Sequence, residues 1–383
     1  MNIVGIIIET NPFHNGHQYF INEIKRIYKP NLIIAVTSTS FTMRGEISVL
    51  NKFDKTHALL NGGVDIVLEF PFILSTQSSD YFAENAITIL NSIGVNHLIC
   101  GCETNNIAVL EKFYNIENSE PFKAIFKSNI ENHYSYKQTY EKTLNDLKID
   151  QNLIELFNKP NFTLAYQYFK TIKNNFNHIK MSLIQRTNSY DCEDLSSSMV
   201  SAKAIRYALK TKQSYTEYLP FNESLIDLNT AEETLLKLVN YVCLTKTNFN
   251  QLINTEGIIN YIINNFNIQN DFNNLITSLS NKRYSKSRIK RTLLYMLLDI
   301  DSFYHKYEYI RLLGINKLGL NYINSLDKSI KNNIFASVKE INSDDLCYNI
   351  LEIEIRVTKL YSLLTNDENL VIKEYQLPIR KDL

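Results

Sequence analysis

The chain of 383 residues has no tryptophan, few glycines and prolines (10 and 7), and no surplus of either charge, since 40 basic residues balance 40 acidic ones. The charge balance excludes a generic polycation that coats nucleic acid, so any affinity for RNA must come from a local patch. Five cysteines, Cys100, Cys102, Cys192, Cys243 and Cys347, show no CxxC spacing, which excludes a zinc ribbon or a disulfide framework and points to a reducing compartment. No apolar stretch approaches the ~18–20 residues of a membrane span. The N-terminal run Ile3–Ile8 is short and lacks a basic segment before it, so a signal peptide is not expected. A cytoplasmic protein without a membrane partner is the expectation. No repeat period or low-complexity tail breaks the pattern.

What is present, in the first hundred residues, is an alternation of short apolar runs with amphipathic segments. The runs are Ile3–Ile8, Leu32–Val36, Ile66–Phe70 and Leu98–Cys100. Val/Ile/Leu-rich runs at this spacing are what parallel strands buried on both faces look like, with helices crossing between them. Residues 105–157 read as a charged helical insertion, Pro160 opens a helix to about Asn175, and His178–Gln185 reads as one more strand. After a polar loop over 187–198, Ser201 can cap a short helix. Beyond Pro220 the apolar spacing becomes helical. The fold class expected is α/β: a doubly wound, Rossmann-like parallel sheet over 1–220, then an all-helical domain over 221–383.

The most informative stretch is Glu9–His17, ETNPFHNGH, where the first strand hands over to the first helix. In open parallel sheets ligands sit beyond the carboxyl ends of the strands, where a helix N-terminus offers free N–H groups to an anion. His14 and His17 are three apart and share a helix face, and Gly16 between them lets a phosphate approach the backbone. Two imidazoles donating hydrogen bonds to a triphosphate would stabilise the charge that builds at an attacked α-phosphorus. An arbitrary His pair at this spacing is more often a packing or capping pair. Zinc is disfavoured because no third or fourth ligand lies at a familiar spacing, so no metal site is expected.

The turn resembles the H-x-G-H signature of the nucleotidyltransferase superfamily. Val200–Arg206, VSAKAIR, resembles the second signature of that superfamily, with Lys203 where Ser or Thr is usual. Further segments resemble one family, the bacterial tRNA(Met) cytidine acetate ligases: GIIIETNPFHNGH (5–17), MRGE (43–46), GVDIVLEFP (63–71), QSSDYFA (77–83), GCE (101–103), KPN (159–161) and KRYSKSRIKR (282–291). The chain departs from the family at Thr10, where Tyr is usual. The resemblance implies a ligase that uses ATP, with Mg²⁺ on its phosphates, to convert acetate to acetyl-adenylate. It then acetylates the N4 amine of the wobble cytidine in elongator tRNA(Met). It implies catalytic roles for His14, His17 and Arg206. It implies ATP contacts by Ile7, Ile8, Glu9, Thr10, Asn11, Pro12, Phe13, His14, Asn15, Gly16, His17, Gln18, Tyr19 and Phe20, and by Gly101, Asn161 and Arg186.

The RNA-facing candidates are Lys282, Arg283, Tyr284, Lys286, Arg288, Lys290 and Arg291, a basic run without an acidic residue in a chain of zero net charge. Ile289, Leu293, Met296 and Leu297 mark the buried face of a helix there. Arg288 and Arg291 are then expected to face solvent or a phosphate backbone, with Tyr284 free to stack on a base. Taken alone, such a run is more often a solvated helix end. Arg44, Glu46 and Glu69 are further site candidates without an assigned role. His57, His97, His133, His178 and His305 read as structural or surface residues, and Cys100 and Cys102 as packing. Two other functions compete: an adenylyltransferase acting on a small phosphorylated metabolite, and a non-catalytic RNA-binding protein with a vestigial nucleotide fold.

Overall fold

The computed structural model describes residues 1–130, 136–186, 200–246, 248–249, 255–300, 302–305, 309–341 and 346–382. The polar loop expected over 187–198, Cys192 and His133 lie outside the described residues. The first half runs β1 (Ile3–Ile8), α1 (Asn15–Tyr28), β2 (Leu32–Ser38), α2 (Lys52–Gly62), β3 (Ile66–Phe70), α3 (Phe72–Ser75), α4 (Ser79–Ser92) and β4 (His97–Cys102). The helical insertion is α5 (Ile107–Glu117), α6 (Glu120–Ile130), α7 (Tyr136–Asp146) and α8 (Gln151–Phe157); α9 (Pro160–Asn175), β5 (Lys180–Gln185) and α10 (Ala202–Lys210) complete this part.

Strands β5-β4-β1-β2-β3 pair in parallel in that order. Their near-continuous apolar sequences follow from burial on both faces. Along β2, Ile33 and Ala35 join the core under α1 and α2, while Leu32, Ile34 and Val36 join the core under α4 and α9. The chain leaves β1 toward β2 on one side and reaches β4 on the other. The carboxyl ends of β1 and β4 therefore flank the topological switch point, where a crevice for ligand opens.

The remainder is α11 (Leu228–Thr245), α12 (Ile258–Asn265), α13 (Phe272–Leu279), α14 (Lys286–Leu297), β6 (Ile310–Asn316), α15 (Lys317–Ser325), α16 (Lys328–Lys331), β7 (Ile334–Phe335), α17 (Leu346–Thr365), α18 (Asn369–Lys373) and β8 (Ile379–Lys381). This region is mainly helical, as expected, but not wholly so. β6 pairs antiparallel with β3 and extends the sheet, and β7 and β8 pair with β6. IRLLGIN is a run of seven between polar segments, and periodicity alone does not separate so short an apolar run from a buried piece of helix. Asn316 Nδ2 fixes its end by donating to Asp65 Oδ1 at 2.7 Å.

A buried ion cluster ties this region to the sheet. Lys52 lies 2.7 Å from Glu69, 3.3 Å from Glu354 and 2.5 Å from Glu374, and Arg311 reaches Glu69 at 3.2 Å and Glu374 at 2.7 Å. Tyr309 donates its hydroxyl to Glu69 at 2.7 Å. The site role open to Glu69 is therefore not the one it fills: its side chain is fully buried and spent on this cluster. Among the described residues no helix is long and apolar enough to cross a membrane.

Candidate active site

The turn after β1 is held from behind. Asn11 Oδ1 accepts from Val49 N–H at 2.8 Å, the Asn11–Pro12 peptide is cis, and the buried Phe13 ring packs 5.8 Å from Phe221. His14 is the N-cap of α1, with extended backbone, and His17 is the third residue of its first turn. Gly16 N–H donates to His14 Nδ1 at 3.0 Å, and His14 N–H donates to His17 Nδ1 at 3.3 Å. The two histidines thus form a reciprocal capping box. Because each Nδ1 accepts a backbone N–H, the proton of each neutral ring sits on Nε2, leaving an Nε2–H donor on each. The ring centroids are 3.9 Å apart. Burial, then Arg186 and Arg206, hold His14 down to about 3, and burial, then His14 and Arg186, hold His17 well below the ordinary imidazole range. Both therefore act as neutral donors.

Gly16 has a tighter constraint than phosphate access. A Cβ there would lie 2.8 Å from His14 Cε1 and 2.9 Å from His14 Nδ1, so any side chain would push the ring off its cap.

The second signature arrives from α10. Ser201 caps that helix by accepting from Ala204 N–H at 3.1 Å. Arg206, on the same helix, donates to the Asn11 carbonyl at 2.8 Å and to Glu46 at 3.1 Å. Burial would raise the Glu46 carboxyl, but Arg206, Lys290 and Arg44 hold it below its ordinary value. Glu9, at the strand end, accepts from Met43 N–H at 2.6 Å; burial raises it, opposed by that N–H, Lys55 and Arg44.

These groups surround one cavity of about 550 Å³. Of the residues named from the sequence, Ile7, Ile8, Glu9, Thr10, Asn11, His14, Gly16, His17, Tyr19, Phe20, Gly101, Asn161, Arg186 and Arg206 line it, with Arg44, Glu46, Ser201 and Lys203. Pro12, Phe13, Asn15 and Gln18 do not. Asn15 donates to the Glu217 carbonyl at 3.1 Å and Gln18 to the Gly62 carbonyl at 3.1 Å, so they brace the turn from outside. Asn161 donates through its backbone N–H and Nδ2 to Glu103 Oε1, at 3.2 and 2.9 Å. Arg186 follows β5 and its stem passes 3.5 Å from where a Gly101 Cβ would stand.

Sequence reasoning missed several lining residues, among them Tyr140, Phe157, Asn158 and Tyr168, and quoted Phe82 only within QSSDYFA without a site role. Asn158 adjoins the quoted KPN segment, but nothing in the sequence around Tyr140 marks it.

None of residues 282–291 lines the cavity. Ser285 caps α14, and Ile289, Leu293 and Met296 are buried, as the spacing requires. Lys282, Arg283 and Lys286 are exposed. Two expectations are corrected. Tyr284 is only 3% exposed, with its hydroxyl donating to the Glu256 carbonyl at 2.6 Å, and the guanidiniums of Arg283 and Arg288 each lie 5.3 Å from its ring. Arg291 is not outward-facing: it donates to the Met43 carbonyl at 3.3 Å, and burial lowers it. The run carries no acid in sequence, yet Glu256 meets Arg288 at 2.9 Å and Glu46 meets Lys290 at 3.6 Å. Without Arg291, five cations stand against these two carboxylates, which leaves the run positive.

His14, His17 and Arg206, from two separate segments, line one cavity at the switch point of the sheet. Residues 1–375 match the model of the HIGH Nucleotidyl Transferase family. A tRNA(Met) cytidine acetate ligase of Clostridium perfringens is 33% identical, with 95% of this chain and 96% of the relative aligned. The chain belongs to the tRNA(Met) cytidine acetate ligase family. The ligase of Oceanobacillus iheyensis is 31% identical over 94% of each chain. The fold matches Thermotoga maritima TmcAL with a TM-score of 0.85 over the whole of both chains at 22% identity. A second structure of that protein, bound with alpha-thio ATP, gives 0.82 at 21% identity. Thr10, in the turn after β1, is a buried residue at positive φ.

Proposed function

We propose that the chain is an ATP-dependent ligase that activates acetate as acetyl-adenylate and transfers the acetyl group to the N4 amine of the wobble cytidine of elongator tRNA(Met). The observation that carries this reading is that His14, His17 and Arg206, from two separate segments, line one cavity at the switch point of the sheet. Family membership supports it, since the relatives bear the name of that activity.

In the first step an acetate oxygen attacks the α-phosphorus, forming an O–P bond while the bond to the pyrophosphate oxygen breaks. The Nε2–H groups of His14 and His17 donate to the phosphate oxygens on which charge accumulates, and Arg206 and Arg186 offset the charge of the leaving pyrophosphate. Neutral imidazoles suit this role because they need no protonation change during the step. In the second step the cytidine amine attacks the acetyl carbonyl, a C–N bond forms as the C–O bond to AMP breaks, and the amine releases one proton to solvent. ATP enters as its Mg²⁺ complex. Mg²⁺ on the phosphates would offset their charge and help orient the attack; among the described residues no group of three or more His, Cys, Asp or Glu could hold a metal ion. The basic face of α14 holds the RNA through Lys282, Arg283, Lys286, Arg288 and Lys290, in the cytoplasm. Tyr284 and Arg291 support that face from beneath.

The first step is tested by exchange of labelled pyrophosphate into ATP. We expect exchange that requires acetate and falls about 10²–10³-fold in His17→Ala. Exchange that ignores acetate and needs a phosphorylated metabolite would instead favour the adenylyltransferase reading.

A further inference from the structure

Between the nucleotide cavity and the basic helix lies a single tight turn. Phe41 and Ile47 pair as an antiparallel bridge, and inside them Thr42 N–H donates to the Glu46 carbonyl at 2.9 Å and Gly45 N–H to the Thr42 carbonyl at 2.8 Å. Gly45 has φ of +73°, and a Cβ there would lie 2.9 Å from the Arg291 nitrogen and 3.0 Å from Lys290 Cβ. The turn therefore lies directly on the backbone of α14, at a distance only glycine permits. Met43 faces both sites: its N–H donates to Glu9 at 2.6 Å, and its carbonyl accepts from Arg291 at 3.3 Å. Glu46 completes the connection. One carboxylate oxygen pairs with Arg206 at 3.1 Å and the other with Lys290 at 3.6 Å, all three side chains being 30% exposed or less.

Resting on the function proposed above, we propose that Glu46 is a positioning residue that couples RNA binding on α14 to ATP binding in the cavity, because one carboxylate is shared by Lys290 and Arg206. A carboxylate between two cations divides its attraction between them. When an RNA phosphate engages Lys290, the hold of that lysine on Glu46 weakens, and Glu46 binds Arg206 more firmly in the orientation seen, against the Asn11 carbonyl. A guanidinium already fixed there loses less freedom when the phosphates of ATP arrive. RNA thus tightens ATP binding, and by linkage ATP tightens RNA binding by the same factor. The seat of the turn on α14 makes the path short: Glu46 meets both Lys290 and Arg206 directly.

The test is calorimetric titration of the full chain with α,β-methylene ATP, with and without an unmodified elongator tRNA(Met) transcript, and of the transcript with and without the nucleotide. We expect each ligand to lower the Kd of the other by about five-fold or more. In Glu46→Gln that factor falls to about one, whatever the two separate Kd values become. General loosening of the structure would change the separate values and leave their ratio. Lys290→Gln removes the same link from the RNA side, keeping the test open if Glu46→Gln does not fold, and it also brings the factor to about one. Independent binding of both ligands to the unaltered chain, or coupling that survives in both variants, overturns the inference alone. Failure of either ligand to bind the unaltered chain overturns the proposed function instead.

Discussion

His14 and His17 cap the first helix, and the proposed chemistry draws on the same two rings. Each ring spends Nδ1 on a backbone N–H of the helix start, which both caps α1 and leaves Nε2–H available to a phosphate. The pair and its location were legible in the sequence; the tautomer was not, because it depends on extended backbone at His14. Depressed imidazoles carry a pH signature. Between the ordinary value of 6.5 and the folded value of about 3 for His14, the unfolded chain binds the proton and the folded chain does not. Stability is therefore complete above 6.5 and falls as pH drops below it, by up to ~1.4 kcal/mol per pH unit for each histidine. Urea midpoints between about pH 7.5 and about pH 5 measure this, and His14→Asn is expected to flatten the slope. A second prediction concerns Gly16→Ala. Its Cβ would meet His14 at 2.8 Å, so we expect ATP affinity to drop by at least ~10-fold with the helical content of the chain unchanged, measured by nucleotide titration and far-UV circular dichroism.

At the scale of elements, strand and helix order from β1 to β5 followed from apolar run length and cap residues, and the basic helix from the spacing of Ile289, Leu293 and Met296. What the sequence did not disclose is how α14 is seated. The outward direction expected for Arg291 fails because the turn over 41–47 covers that side of the helix, a contact between segments some 250 positions apart that leaves no local pattern. Glu256, which answers Arg288, is hidden for the same reason. The seat makes a prediction: Gly45→Ala places a methyl 2.9 Å from the Arg291 nitrogen at φ of +73°, and we expect a loss of ~1–3 kcal/mol in urea unfolding. RNA affinity should fall with it, because α14 moves. An Ala as stable as the Gly would contradict the packing described.

For the whole molecule, the sheet does not end where the first domain was expected to end. β6 from the C-terminal region pairs with β3, and Lys52 and Glu69 from the first region share a buried cluster with Arg311, Glu354 and Glu374. Burial, with Glu69 and Glu374 beside it and Lys52 opposing, raises Glu354 to about 7, so the third carboxyl is partly protonated near neutrality and eases the excess negative charge. Lys52→Met is expected to lower stability by ~3–5 kcal/mol, because it strands carboxylates without their cation. A fragment of residues 1–220 would expose the β3 edge and leave the buried Lys52–Glu69 pair without Arg311, Glu354 and Glu374, and we expect it not to fold cooperatively in a thermal melt. Composition and periodicity could not show this interlock, since nothing in the sequence marks Lys52, and Glu69 stands out only as a site candidate at the end of an apolar run. The joined architecture places a positive helix and the switch-point cavity on either side of one turn, as the proposed transfer of ATP-activated acetate to RNA requires. The direct measurement is incubation of the full chain with Mg²⁺-ATP, radiolabelled acetate and elongator tRNA(Met), without coenzyme A. The account predicts label in the RNA, AMP released in equal amount, and both abolished in His17→Ala. RNA that stays unlabelled while the chain binds both ATP and tRNA would contradict it.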